Sequence, residues 1–433
     1  MSSGTALPRL SPDFLWGTAT SAHQVEGGND RNDWSDFEKR FTPSGRAADF
    51  ARLFAEDLDR ARELGTNSFR FSLEWSRVEP RPGETDASEL AYYDALVNAC
   101  RARGLRPLLT LVQFTLPRWA AQRSPGGWLD REVHEAFGRH VRRVAERFGD
   151  RIDLFVTFNE PNVLAGAGHI AGVFPPGKRF RFGLANRYQV ELLRAHARAY
   201  EILHDVLGKR GRTPKVGISP HIVSWQPTRA DLAGSALSFG ERFNWAGLDA
   251  LQTGTLNLPG FSAQLPEVKG RLDFVGLNYF MSMPAHLIGI ARLACLLRKP
   301  IGAHTSDNGW PVDLQGLESA VREAYRRYRM PILITENGIA DATDEKRPTY
   351  LIAQLLGLQR AVAAGADVQG YFHWSLIDNF EWHEGFAPRF GLYAVDYETQ
   401  KRTARRSCEL YRRIIAAGGV PAELASTLTA QTG

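Results

Sequence analysis

The chain has 433 residues, 43% of them hydrophobic and 23% charged, which is ordinary for a folded protein with a sizeable core. Its formal charge is +5, from 53 Lys and Arg against 48 Asp and Glu, with no block of five like charges. Nucleic acid is therefore not the expected partner, and Arg-rich stretches such as 139–147 read as solvated helix faces. Cys100, Cys295 and Cys408 are odd in number, far apart and in no metal-ligand spacing. A disulfide framework is not expected, and a reducing, cytoplasmic setting fits best. Residues 1–12 carry no charged-then-apolar leader, and no run approaches the roughly 18 apolar residues needed to span a bilayer.

In chain order, short apolar runs alternate with amphipathic ones. A strand is expected at 14–20, then a helix at 49–64, a strand at 68–75, a helix at 87–103, a strand at 106–114 and a helix at 131–148. A strand at 154–159 and a helix at 186–207 follow, then strands at 215–221 and 273–280, where the alternation is least well marked. A helix at 316–328, a strand at 331–336, a helix at 350–364, a strand at 368–376 and a helix at 402–417 complete the series. Gly65, Gly104 and Gly365 stand where helix C-caps are expected. The strands are near-continuously apolar, as parallel strands buried on both faces are. Eight strand–helix alternations with no linker predict an α/β fold, a (β/α)8 TIM barrel forming one domain over residues 1–433.

The apolar strands finish in polar or aromatic side chains: Arg70, Gln113, Asn159-Glu160, Asn278, Glu336-Asn337 and Trp374. A loop cap explains one or two of these, but a barrel assembles its active site from several strand ends. Glu160 and Glu336 end the fourth and seventh strands, so they face each other across the barrel mouth. Two facing carboxylates suit glycoside cleavage, with a separation of about 5 Å for a covalent, retaining reaction and roughly 6.5–9.5 Å for an inverting one.

Thr157-Phe158-Asn159-Glu160-Pro161 and Ile334-Thr335-Glu336-Asn337-Gly338 resemble the two signature motifs of glycoside hydrolase family 1, the β-glucosidase family. The resemblance runs from Phe14-Leu15-Trp16-Gly17 through Phe69-Arg70-Phe71-Ser72 and Gly276-Leu277-Asn278-Tyr279 to Trp374-Ser375-Leu376 and Asn379-Phe380-Glu381-Trp382. It implies a retaining β-glycosidase acting on glucosides, galactosides or fucosides, with no cofactor and no metal. Glu336 matches the nucleophile, Glu160 the acid/base and Asn159 the residue that binds the sugar 2-OH. Arg70 is expected to hold Glu336 ionised. The negative charge of Glu336 is expected to raise the pKa of Glu160 so that it can donate a proton. Gln24, Glu381 and Trp382 match the clamp on the outer hydroxyls, Trp374 the stacking floor and Trp310 an aglycone-side residue. Glu381 also argues against a phosphorylated sugar, whose charge it would repel.

Two positions depart from the family pattern. Gln113 stands where a His usually binds the 3-OH, and can still donate and accept. Phe280 stands where a Tyr usually donates to the nucleophile. That loss is expected to raise the pKa of Glu336 and slow turnover, since one hydrogen bond to a charged group is worth roughly 1.5–3 kcal/mol. A strand displaced by one residue would offer Tyr279 instead, but the two-residue period would turn Tyr279 to the other face. The apolar stretch 286–299, with its basic end, reads as a helix packed on the barrel rim. Its alternative is an exposed segment for an apolar aglycone or a membrane surface, which makes membrane contact a secondary expectation. His221, His373 and His383 form no metal motif and read as core or rim residues. Two other functions share these residues: transfer of the glycosyl group to an alcohol or lipid acceptor, and sugar binding by an impaired homologue.

Overall fold

The computed structural model describes residues 7–432 apart from 125, 230–233, 287–301 and 303. Of the 286–299 segment only His286 is described, so the expectation placed on that stretch lies outside the described residues, as does Cys295.

The barrel strands are β1 (Leu15–Ala19), β2 (Ser68–Ser72), β3 (Arg106–Val112), β4 (Leu154–Asn159) and β5 (Lys215–Ser219). After Pro220 the fifth strand resumes as β6 (His221–Gln226), and the ring is completed by β7 (Phe274–Pro284), β8 (Ile332–Asn337) and β9 (Val368–Trp374). Every adjacent pair is parallel, and β9 pairs with β1 to close the cylinder. Pro220 explains the break in the fifth strand, because a proline cannot donate to the ladder. Both halves pair with β7, so the closure survives.

The two-residue period of the strands sorts their side chains. Leu108, Val156, Phe274, Leu333 and Phe372 cluster inside the barrel. Phe69, Leu109, Phe155, Ile334 and Tyr371 join the larger core between strands and helices. The outer ring includes α1 (Phe50–Glu63), α2 (Ala87–Ala102), α3 (Arg131–Phe148), α4 (Pro161–Gly166), α5 (Phe182–Gly208), α6 (Ser235–Thr253), α7 (Gly316–Tyr328), α8 (Arg347–Ala363) and α9 (Arg406–Ala417). In α3, Val133, Ala136, Phe137, Val141, Val144 and Phe148 form the buried stripe, and Asp130 caps its start by accepting from the N–H of Glu132. Arg139, Arg142 and Arg147 lie exposed on the opposite face, as expected of a solvated stripe.

Gly65, Gly104 and Gly365 all have positive φ just past helix ends. The sequence pattern did not indicate α6, the hairpin Thr255–Leu258 with Phe261–Gln264, or the last helix, Ala422–Thr432. The 402–417 helix starts later than expected, at Arg406, because Arg402–Ala404 pairs as a strand with Tyr393–Val395.

Candidate active site

Register shifts fall at the carboxyl ends of β4 and β8, between Val156 and Asn159 and between Ile334 and Glu336. Such irregularities re-aim side chains, and here they turn both glutamates into one cavity of about 400 Å³. Glu160 itself has φ +43 and ψ +58, a left-handed conformation that non-glycine residues seldom adopt, and Pro161 then opens α4. Behind Glu336, the chain passes so close to β9 that a Cβ on Gly338 would lie 1.8 Å from the carbonyl oxygen of Trp374.

Arg70, wholly buried on β2, organises the floor. One terminal nitrogen, Nη1, donates to Glu336 Oε1 at 2.6 Å and to the Thr335 carbonyl at 2.9 Å. Its other terminal nitrogen donates to Asn159 Oδ1 at 2.7 Å, and Nε donates to Thr110 at 3.1 Å. Asn278 on β7 donates to Asn159 Oδ1 at 2.9 Å and to Glu160 Oε1 at 3.0 Å. A continuous hydrogen-bonded chain, Glu160–Asn278–Asn159–Arg70–Glu336, therefore ties the two carboxyls together. Thr335 donates to Asn278 Oδ1 at 2.7 Å, which fixes the amide orientation that this chain requires.

Gln113 reaches Glu336 from β3, donating from Nε2 to Oε1 at 3.1 Å. Phe280 faces the cavity, stacked on His221 with centroids 5.8 Å apart and set edge-on to Trp310. Tyr279 points the other way and donates to Asp313 at 2.8 Å. The two-residue period thus holds, and Gln113 supplies Glu336 with a donor where Phe280 has none.

Burial pushes the Glu336 carboxyl up to about 8, opposed by Arg70 and Gln113 and reinforced by the charge of Glu160. Arg70, expected to hold Glu336 ionised, does pull it down, but burial is the larger influence.

The remaining expected residues surround the same space. Gln24 is fixed by donating to Asn379 at 2.9 Å, to the Phe380 carbonyl at 2.8 Å and to Glu381 at 3.3 Å. Trp382, at φ +53, packs on His23 and Trp34, while Trp374 and Trp310 border the cavity. All eleven residues expected at the site come together there except Arg70 and Asn278, which lie beneath it and act through their hydrogen bonds. His221 is the residue the sequence reading set aside. Its Nδ1 lies 3.0 Å from Glu160 Oε1, and the ring borders the cavity. The signal was available, since His221 is a polar residue just past a strand end like the others.

The description "Glycosyl hydrolase family 1" belongs to a family model that matches residues 7–420. A β-galactosidase from Saccharolobus solfataricus is 33% identical over 419 residues, covering 84% of this chain and 83% of that protein. A protein from Oryza sativa subsp. japonica described as probable inactive β-glucosidase 14 is 32% identical, covering 94% of this chain and 91% of its own. The structure of a β-glycosidase from Pyrococcus horikoshii superimposes with a TM-score of 0.87 at 34% identity, covering 98% of each chain.

Proposed function

The chain belongs to glycosyl hydrolase family 1, and on that premise we propose that Glu336 is the nucleophile and Glu160 the acid/base of its retaining β-glycosidase reaction. The observation that supports these roles is the bonded chain between the carboxyls. Glu336 sits at its cationic end, where two donors on one oxygen oppose the upward pull of burial. Glu336 attacks the anomeric carbon as Glu160 gives its proton to the leaving oxygen, forming a covalent glycosyl ester. Loss of the Glu336 charge then lets Glu160 take a proton from water, which displaces the ester and releases the sugar. Asn159, held by Arg70 and Asn278, is the proposed partner of the sugar 2-OH.

Gln24, Glu381 and Trp382 line the far wall and form the proposed clamp on the outer hydroxyls. Glu381 supports an unphosphorylated glycone of the glucose, galactose or fucose type. Retention of Glu160, Glu336, Asn159 and Arg70 in one connected set favours turnover over a binding-only role. The larger hydrophobic core, running from Leu10 to Val420 around the whole barrel, supports one catalytic domain. Cys100 and Cys408, both buried free thiols, support a cytoplasmic setting.

The test is nitrophenol release from a panel of aryl β- and α-glycosides. Release is expected from one or more β-glycosides only, with Glu160→Ala lowering turnover about 10²–10⁴-fold. Glu336→Ala should abolish it and, with azide, yield an α-glycosyl azide. A β-glycosyl azide from that variant would assign the nucleophile elsewhere.

A further inference from the structure

Among the described residues three large hydrophobic side chains are exposed: Phe41, Phe180 and Phe182. Two of them belong to Lys178-Arg179-Phe180-Arg181-Phe182, where all five residues are exposed. This loop is an ordered element. Its N–H groups at Lys178, Phe180 and Arg181 donate to the carbonyls of Gly168, Ile170 and His169 at 2.9, 3.0 and 2.9 Å. Phe180 is held there at φ +54, a conformation costly for a bulky residue, which aims its ring outward. Gly177, just before the loop, lies against Phe37 and Arg40, which brings Phe41 to the same side. Among the described residues Lys178, Arg179 and Arg181 form no salt bridge. On the short helix Asp33–Phe37, Asp36 is already paired with Lys39 and Arg118.

The loop also stands at one end of the catalytic cavity. The cavity that holds Glu160 is also lined by Val163, Ile170, Phe243, Leu258 and Phe182, with Asn186, Gln189 and Arg242 as polar members of a mostly apolar wall. A lone exposed phenylalanine needs no explanation. Rings alternating with unpaired cations at the mouth of an apolar channel have the composition of an interfacial segment, with cations for anionic headgroups and rings for the acyl boundary. A stable protein partner would need roughly 800 Å² on this side, more than one short loop offers.

We infer that the 178–182 loop seats the cavity mouth on an anionic lipid surface, and that the aglycone entering the channel is a long apolar chain. The inference rests on the glycosidase reading above. It places no new chemistry at the carboxyls: the leaving oxygen takes its proton from Glu160 whatever chain it carries.

Two measurements on the full-length protein test it. The first is co-sedimentation with phosphatidylcholine vesicles, with and without phosphatidylserine at about one third of the lipid. Binding is expected only to the anionic vesicles and is expected to fall at high salt. The double variant Arg179→Gln/Arg181→Gln should partition about 30-fold less, from ~1 kcal/mol per cation. Phe180→Ser should weaken binding to the same vesicles. These variants should leave hydrolysis of a soluble nitrophenyl β-glycoside unchanged, which also shows that they fold. Absence of binding, or binding indifferent to the variants, overturns the docking. The second measurement is kcat/KM for soluble alkyl β-glycosides of one sugar, which should climb about fourfold per added methylene over the first several. A flat series, with nitrophenyl glycosides still cleaved, overturns the apolar aglycone and leaves the glycosidase reading standing. Failure to cleave any aryl glycoside counts against that reading, whereas the vesicle measurement reads without turnover.

Discussion

Both donors to Glu336 converge on Oε1, one charged from Arg70 and one neutral from Gln113. Each stabilises the carboxylate over the acid, so removing Gln113 pushes a value already near 8 further up. Gln113→Leu should therefore move the acidic limb of the kcat/KM profile to higher pH by about one unit. It should also lower kcat/KM at neutral pH about tenfold or more, since a hydrogen bond to a charged group is worth roughly 1.5–3 kcal/mol. Phe280→Tyr is expected to act in the opposite sense by adding a hydroxyl on the cavity side, moving that limb down. An unmoved limb in both variants would detach these residues from the nucleophile. The identity of the site was legible at this scale because polar residues follow apolar strands at regular intervals. The partner of Gln113 was not, because that bond joins residues 223 apart and exists only once the barrel closes. His221, at the end of the expected strand 215–221, read as a core or rim histidine because its contact with Glu160 joins residues 61 apart and exists only in the folded barrel.

The helices show why pattern reading succeeded in most places and failed at α6. A stripe such as that of α3, with a capping Asp before it, is visible in sequence because its buried positions recur every three or four residues. In α6, Gly240 and Gly247 interrupt the run and read as chain breakers. Packing explains the first of them: a Cβ on Gly240 would lie 2.4 Å from the Trp225 ring, so the helix and β6 approach only at a glycine. Gly240→Ala gains about 1 kcal/mol of helix propensity but must displace the base of that ring, an overpacking cost of about 1–3 kcal/mol. The cost should win, giving a net loss of about 1 kcal/mol in denaturant unfolding. Gly208 ends α5 with open space around its Cβ position and an unstrained backbone. Gly208→Ala should therefore gain up to about 1 kcal/mol. Opposite signs for one substitution at two helical glycines would separate propensity from packing, and equal signs would refute the packing argument.

Across the whole barrel, burial sets ionisable groups against each other in their response to pH. His140, His196 and His373 lie in the interior, where burial lowers them to about 3, 4 and 3. Glu26 and Glu336 are raised by the same cause. Each histidine is protonated near 6.5 in the unfolded chain but stays neutral in the native one until far lower pH. Between those values the unfolded state binds the extra proton, so stability falls as pH falls. The raised carboxyls work the other way, because there the native state holds the extra proton and loses stability as pH rises. Net stability is thus a difference of opposing slopes, and one site must be isolated to expose either. His140 is suited to this. It stacks on Trp75 at 5.2 Å, and neither ring nitrogen has a hydrogen-bond partner among the described residues. His140→Phe keeps an aromatic ring there and removes the titration. At pH 7 the variant should be as stable as the parent or slightly more so. Below pH 6.5 its advantage should grow by about 1.4 kcal/mol per pH unit, reaching about 2 kcal/mol at pH 5. Denaturant midpoints of both proteins at pH 7 and pH 5 measure that growth. A constant difference would mean that His140 is already charged in the native barrel, and an unpaired buried cation would then have to be accounted for at the Trp75 contact.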